Sequence, residues 1–166
     1  SPLVRATLAG LQRKLAKPCV RKEPITVEML ARIVDSLGTA PSLSDVRLAA
    51  ACLLAFAAFL RYDDLARLRC CDIKFEVSYM TIRITASKTD QYRQGDRVMV
   101  ARTGTPTCPV AMLERYVAAA GITLDSSLQL FRAIVSTKRG EHLRASGSLS
   151  YTRLRELLLA KLEQLG

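Results

Sequence analysis

The sequence predicts an α+β fold that is mainly helical, with a small three-stranded antiparallel sheet on one edge. Three observations lead there. Helix-start signals at Thr26, at Ser42-Leu43-Ser44-Asp45 and at Pro109 each precede an apolar run of helical period. One run, residues 43–60, is apolar nearly all round, as befits a helix at the centre of a domain. Between the helical runs, Ile73, Phe75 and Val77, then Met80, Ile82 and Ile84, then Val98 and Val100 alternate with other residues, the period of a half-buried strand.

Residues 1–23 are strongly basic, with Arg5, Arg13, Lys14, Lys17, Arg21 and Lys22 against Glu23. Leu3, Leu8, Leu11 and Leu15 give an approximate helical stripe that Pro18 ends. The stretch reads equally as a solvated tail or as a linker from a preceding unit. The folded part is taken as 24–166. Thr26 caps a first helix with Glu28 in its first turn, Leu30, Ile33, Val34 and Leu37 as its buried stripe, and Gly38 at its end. The central helix, 43–60, delivers Arg61 at its end, and Asp63 and Asp64 open a short helix over 65–68. Strands are expected at 72–77, 79–86 and 97–101, with Lys88, Arg93 and Gly95 in the turn 87–96. Pro109 starts a helix to Ala120 with Met112, Leu113, Tyr116 and Val117 inward and Gly121 past its end. A loop over 124–131 ends in buried apolar residues. Residues 136–148 read as a flexible basic loop. A last helix, 150–165, presents Leu154, Leu157, Leu158 and Leu162.

The 166 residues are 49% hydrophobic, enough for one sizeable core. Lys and Arg number 25 against 15 acidic residues, a net charge of +10, which points to a polyanionic partner, most simply nucleic acid. Aromatics are 5% with no Trp, which disfavours stacking on single strands and fits backbone-led binding of duplex DNA. The five cysteines form no Cys-x-x-Cys, so neither a disulfide framework nor a metal site is implied, and a reducing, intracellular setting is expected. Residues 1–22 contain no signal-peptide apolar core, and the longest uncharged run, 48–60, is too short to span a bilayer, so no membrane partner is expected.

An Arg leaving a buried helix, a carboxylate three residues on and a Lys at a hairpin tip suit a phosphodiester. The Arg clamps it, the carboxylate holds the Arg, and the Lys donates a proton. Taken singly, Arg61 also fits an ordinary helix-end surface residue, Asp64 a first-turn carboxylate favoured by the helix dipole, and Lys88 a solubilising turn residue.

Arg61-Tyr62-Asp63-Asp64-Leu65, then Leu68 to Asp72-Ile73, then Ser87-Lys88-Thr89 resemble the first half of a tyrosine recombinase (phage-integrase) catalytic domain. That family shows an Arg-x-x-Glu/Asp-Leu box, a Leu-x-x-x-Asp-Ile segment and a Lys on a β-hairpin. Cys108-Pro109-Val110 and Leu130-Phe131 extend the resemblance over nearly the whole chain. It implies the helical core of a recombinase catalytic domain, with Arg61 on the non-bridging oxygens of the scissile phosphate. Asp64 orients Arg61, and Lys88 is the general acid for the departing 5′ oxygen. It implies strand cleavage and rejoining through a 3′-phosphotyrosyl intermediate, without metal or other cofactor, by a tetramer on paired DNA sites. Residues 1–23 take the place of the last helix and linker of a DNA-gripping domain. Arg83, Arg93, Arg97, Lys138, Arg139 and Arg144 are the candidate contacts to the DNA backbone. The setting implied is DNA-associated, whether nucleus or nucleoid, as for a mobile-element enzyme.

The family's His-x-x-Arg box, second His or Trp and nucleophilic Tyr follow the helix that here is 150–165. The single His142 stands before that helix, in His142-Leu143-Arg144-Ala145, with Ala where the box needs Arg. Tyr151 also precedes that helix and reads as a packing residue, and Tyr62 faces away from a phosphate held by Arg61. The chain is therefore read as a partial catalytic domain that carries two catalytic positions and lacks the nucleophile. The alternative is a non-catalytic integrase-like DNA-binding module. A protein-interaction domain with incidental charge is a third reading.

Overall fold

The computed structural model describes residues 2, 4–7, 23–84 and 96–166, with Asp96 by its backbone only. Apart from a helical stretch at residues 4–7, the reading of 1–22 lies outside the described residues. So does the turn that holds Lys88 and Arg93.

Helix α1, Val27–Asp35, starts where Thr26 accepts a hydrogen bond from the Met29 amide at 3.2 Å. Leu30, Ile33 and Leu37 are buried, and Gly38 turns the chain away at a φ of 61°. Helix α2, Leu43–Ala57, opens with Ser42 accepting from the Asp45 amide at 3.1 Å and donating to its carboxylate at 2.7 Å. Val46, Ala49, Ala50, Leu53 and Leu54 sink into the core, and the small alanines let the helix Pro109–Ala119 lie close.

The central helix was expected to run to Leu60. It stops three residues sooner, at Ala57. The Leu60 amide donates to the Ala55 carbonyl at 3.0 Å, and Phe59 takes a left-handed φ of 52°. This is a Schellman turn, whose left-handed position ordinarily holds Gly. No Gly marks the stop, so an apolar run reads straight through it. Phe59 is 93% exposed and gains no packing in exchange for its strained backbone. Phe59→Gly is expected to stabilise the fold by about 0.5–1 kcal/mol, read as a higher urea midpoint at unchanged slope. An unchanged midpoint would show that the backbone here is unstrained.

Helix α3, Tyr62–Arg67, and a single 3₁₀ turn, Cys70–Asp72, lead into the sheet. Strands β1, Ile73–Phe75, β2, Tyr79–Ile84, and β3, Asp96–Ala101, pair antiparallel in the order β1-β2-β3, as expected. Ile73 lies opposite Ile82, and Met80 opposite Val100, all four in the core. β1 ends before Val77, which is 93% exposed in the turn to β2.

Helix α4, Pro109–Ala119, buries Met112, Leu113 and Tyr116, and Gly121 follows at a φ of 60°. Arg102 clamps Glu114 through two bonds of 2.8 and 2.6 Å, tying the end of β3 to α4. Cys108 caps α4, with its sulfur 3.3 Å from the Thr103 amide. Burial pushes its thiol up, but the Ala111, Thr103 and Gly104 amides outweigh that and hold it down at about 7, below its ordinary 9.0. The fold therefore favours the thiolate. Stability is expected to rise as pH climbs from about 7 to 9, and to be lost again as pH falls through about 7. Denaturant titrations across that range check this, and Cys108→Ser should flatten the rise.

Residues 136–148, expected as a flexible loop, are instead most of a hairpin. Strand β4, Arg132–Thr137, pairs antiparallel with β5, Gly140–Ser148, around a tip at Lys138 and Arg139. Thr137 lies opposite Gly140, whose φ of 112° is open to Gly alone at little strain. The basic, Gly-containing composition hides this pairing, because both strands are largely exposed and alternate weakly. Helix α5, Tyr151–Leu165, is capped by Ser150 and lays Leu154, Leu158, Leu162 and Leu165 against the core. Lys161 reaches Asp45 at 2.7 Å, and Arg32 reaches the Gly166 carbonyl at 3.1 Å, pinning α5 to α2 and α1.

Candidate nucleic-acid interface

The early stop of α2 changes how Arg61 is presented. Arg61 is not the last residue of the long helix but the N-cap of α3, in extended backbone with φ −75° and ψ 161°. Asp64 Oδ2 accepts a hydrogen bond from the Arg61 amide at 3.0 Å. The carboxylate expected to hold the guanidinium therefore holds the backbone. Next along, the Tyr62 hydroxyl donates to the Leu149 carbonyl at 2.9 Å, and its ring meets Tyr151 edge-on at 5.3 Å. These contacts fix the base of Arg61 on both sides. Its side chain is exposed and has no hydrogen bond or ion pair among the described residues. A cation on a rigid base with unused donors is what a phosphate clamp requires.

Lys88 and Arg93 lie outside the described residues. Strand β2 ends, among the described residues, at Ile84, which shares a small pocket with Leu60, Asp64 and Arg67 beside α3. Asp72 and Arg83 complete that pocket. Asp72 is buried, caps the Arg69 amide at 3.0 Å and pairs with Arg83 at 2.9 Å. Arg83 thus compensates a buried carboxylate as well as lying on the sheet. Directly across the ladder stands Arg97, exposed. Like charges face to face disfavour pairing, and Asp72 relieves this on one side.

Lys138, Arg139 and Arg144 fall together on the β4–β5 hairpin, the first two at its tip and Arg144 on β5. They are exposed, as is His142 opposite Val135. Tyr116 is buried, which pushes its phenol up, and its hydroxyl donates to the Leu130 carbonyl at 2.9 Å. The hydroxyls of Tyr62 and Tyr116 are thus both engaged, whereas Tyr151 is 52% exposed and meets only the Tyr62 ring edge among the described residues. Among the described residues no group of three or more His, Cys, Asp or Glu could hold a metal ion, and no helix is long and apolar enough to cross a membrane.

Sequence reasoning passed over one charged residue. Arg47 lies within α2, is only 2% exposed, and donates through Nη1 to the Arg132 carbonyl at 2.7 Å. The one basic residue in an otherwise largely apolar helical run, whose other charge is Asp45 in the first turn, was the available signal.

No protein-family model and no curated protein matches the sequence. Solved structures do. The crystal structure of XerA recombinase is 14% identical and superposes with a TM-score of 0.58 over 91% of this chain and 45% of its own. XerH site-specific recombinase, bound to its difH substrate in a pre-cleavage complex, is 14% identical with a TM-score of 0.54, over 98% of this chain and 47% of its own. The chain thus spans less than half the length of each.

Proposed function

From a fold that is that of the tyrosine recombinase catalytic domain, we propose that this chain forms the Arg61-bearing part of an enzyme that breaks and rejoins DNA. The observation that carries the reading is Arg61 itself, exposed and without a partner among the described residues, on a backbone fixed by Asp64 and Tyr62. Its guanidinium holds the non-bridging oxygens of the scissile phosphate, where charge builds up as the phosphorane forms. Lys88 protonates the departing 5′ oxygen. A tyrosine then carries the 3′-phosphoryl group as a covalent intermediate. The engaged hydroxyls of Tyr62 and Tyr116 speak against both in that role, and Tyr151 stands at the start of α5 against the Tyr62 ring. The nucleophile is assigned to residues other than these, in the whole protein acting as a tetramer on paired duplex sites. Residues 1–23 belong to the linker from a DNA-gripping unit.

The basic hairpin and sheet face the DNA backbone, through Arg83, Arg97, Lys138, Arg139 and Arg144, and Arg93 is assigned to the same contact from the sequence alone. This chain alone is expected to bind duplex DNA weakly, with log K falling steeply against log salt. A binding constant indifferent to salt would instead favour a protein-interaction domain. For the general acid, Lys88→Ala in the whole protein is expected to slow cleavage by about 10²-fold or more on ordinary DNA. On a substrate with a 5′-bridging sulfur, which leaves without protonation, the loss should be much smaller. Equal losses on both substrates would remove Lys88 from that role.

A further inference from the structure

We infer that the cavity between α2, the β4–β5 hairpin and the start of α5 binds a phosphate-class oxyanion, separately from Arg61. The cavity measures about 580 Å³, and Ser44, Arg47, Glu141, Arg144, Ser150 and Arg153 are among its lining.

Arg47 is the reason to expect a ligand. It is almost wholly buried, yet no carboxylate lies within ion-pair distance of it among the described residues. Its one hydrogen bond goes to a carbonyl, that of Arg132, and its Nε has no partner. The adjoining Arg132 repeats the pattern: Nη1 donates to the Arg144 carbonyl at 3.0 Å, and its buried Nε is unpartnered. A guanidinium stays charged in a protein, so burying one without a counter-ion is costly. An anion in the cavity beside it offsets that cost.

The surroundings are built for the same sign. Arg144 and Arg153 add two cationic side chains to the wall, and Arg153 shares only a loose, exposed contact of 3.5 Å with Glu156. The first turn of α2 already holds a carboxylate, since the Ser44 amide donates to Glu141 Oε2 at 3.1 Å. That single carboxylate faces Arg47, Arg144 and Arg153 in the lining. Guanidiniums approaching from α2, β5 and α5 call for an anion with more than two acceptor oxygens, which phosphate has and a carboxylate lacks. The volume leaves room for an ester substituent. The source is then free phosphate or the phosphate of a nucleic-acid end.

The test is a thermal melt and a calorimetric titration of the chain with inorganic phosphate, against chloride at equal ionic strength. Phosphate at about 10 mM is expected to raise Tm by about 3 °C beyond chloride. Arg144→Gln together with Arg153→Gln, both at exposed positions, should lower phosphate affinity about tenfold while the melt in chloride stays unchanged. Glu141→Gln keeps an acceptor for the Ser44 amide but removes the competing charge, and should raise affinity about threefold. Arg61→Ala should leave phosphate binding intact, so a failure of the recombinase reading is distinguishable from a failure here. A short 5′-phosphorylated duplex that displaces phosphate, where the same duplex without the 5′-phosphate does not, identifies a nucleic-acid phosphate as the ligand. Phosphate binding without displacement identifies the free ion, and either result upholds the site. Phosphate no better than chloride, or a folded double variant with wild-type affinity, overturns it.

Discussion

Arg61→Ala is expected to reduce DNA cleavage by the whole protein about a thousandfold or more, with little change in stability. The two halves of that statement have separate causes. The guanidinium has no described partner in the fold, so its removal leaves no buried group unsatisfied, and a change within about 0.5 kcal/mol is expected. In the proposed role, cleavage suffers because the guanidinium would meet the charge that develops on the phosphate, from a base that Asp64 and Tyr62 hold still. Arg61→Lys keeps the charge but not the two-pronged geometry, and should restore only a minor part of the rate. Single-turnover cleavage beside a urea titration reads both quantities. Near-normal cleavage by the alanine variant would remove Arg61 from the chemistry. A large stability loss would show it to be a structural residue.

Tyr116→Ala should be among the most damaging changes to the fold, at about 3–5 kcal/mol. Its ring stacks on Phe131 with centroids 5.4 Å apart and planes 9° from parallel, and both are fully buried. For a domain whose whole stability is about 5–15 kcal/mol, that is a large share. Tyr116→Phe keeps the stack and loses the bond to the Leu130 carbonyl, and should cost about 1–2 kcal/mol. The damage reaches the site through a short relay. The Phe131 carbonyl accepts from the Leu149 amide at 2.8 Å, and the Leu149 carbonyl accepts from Tyr62, the neighbour of Arg61. Thermal melts of the two variants should separate the stack from the hydrogen bond. Equal losses would mean that the hydroxyl, not the ring, matters at this position.

Much of the architecture was legible because local physics wrote it. Thr26 and Ser42 cap helices where capping chemistry says they should, and the alternation from Ile73 to Val100 places three strands in the observed order. Two features were not legible. The stop of α2 depends on a left-handed Phe59, a conformation no side chain advertises. The β4–β5 hairpin is held by backbone pairing between exposed strands, whose Ser, Lys, Arg and Gly residues read as a loop. In the candidate site, Arg61 and Asp64 were singled out through the resemblance their motif carries, and the bond between them runs through the backbone amide.

The sequence by itself determined the mainly helical class with its small sheet and the basic character. These follow from periodicity, charge count and residue type, which are properties of neighbours along the chain. Only the tertiary structure decided that Arg61 caps α3, that Arg83 is tied to buried Asp72, and that Arg47 lies buried beside Arg132 with no carboxylate paired to it among the described residues. Each of those depends on which groups from distant segments fill the space around a charge, and the energy of a charge is set by that surrounding rather than by its place in the sequence.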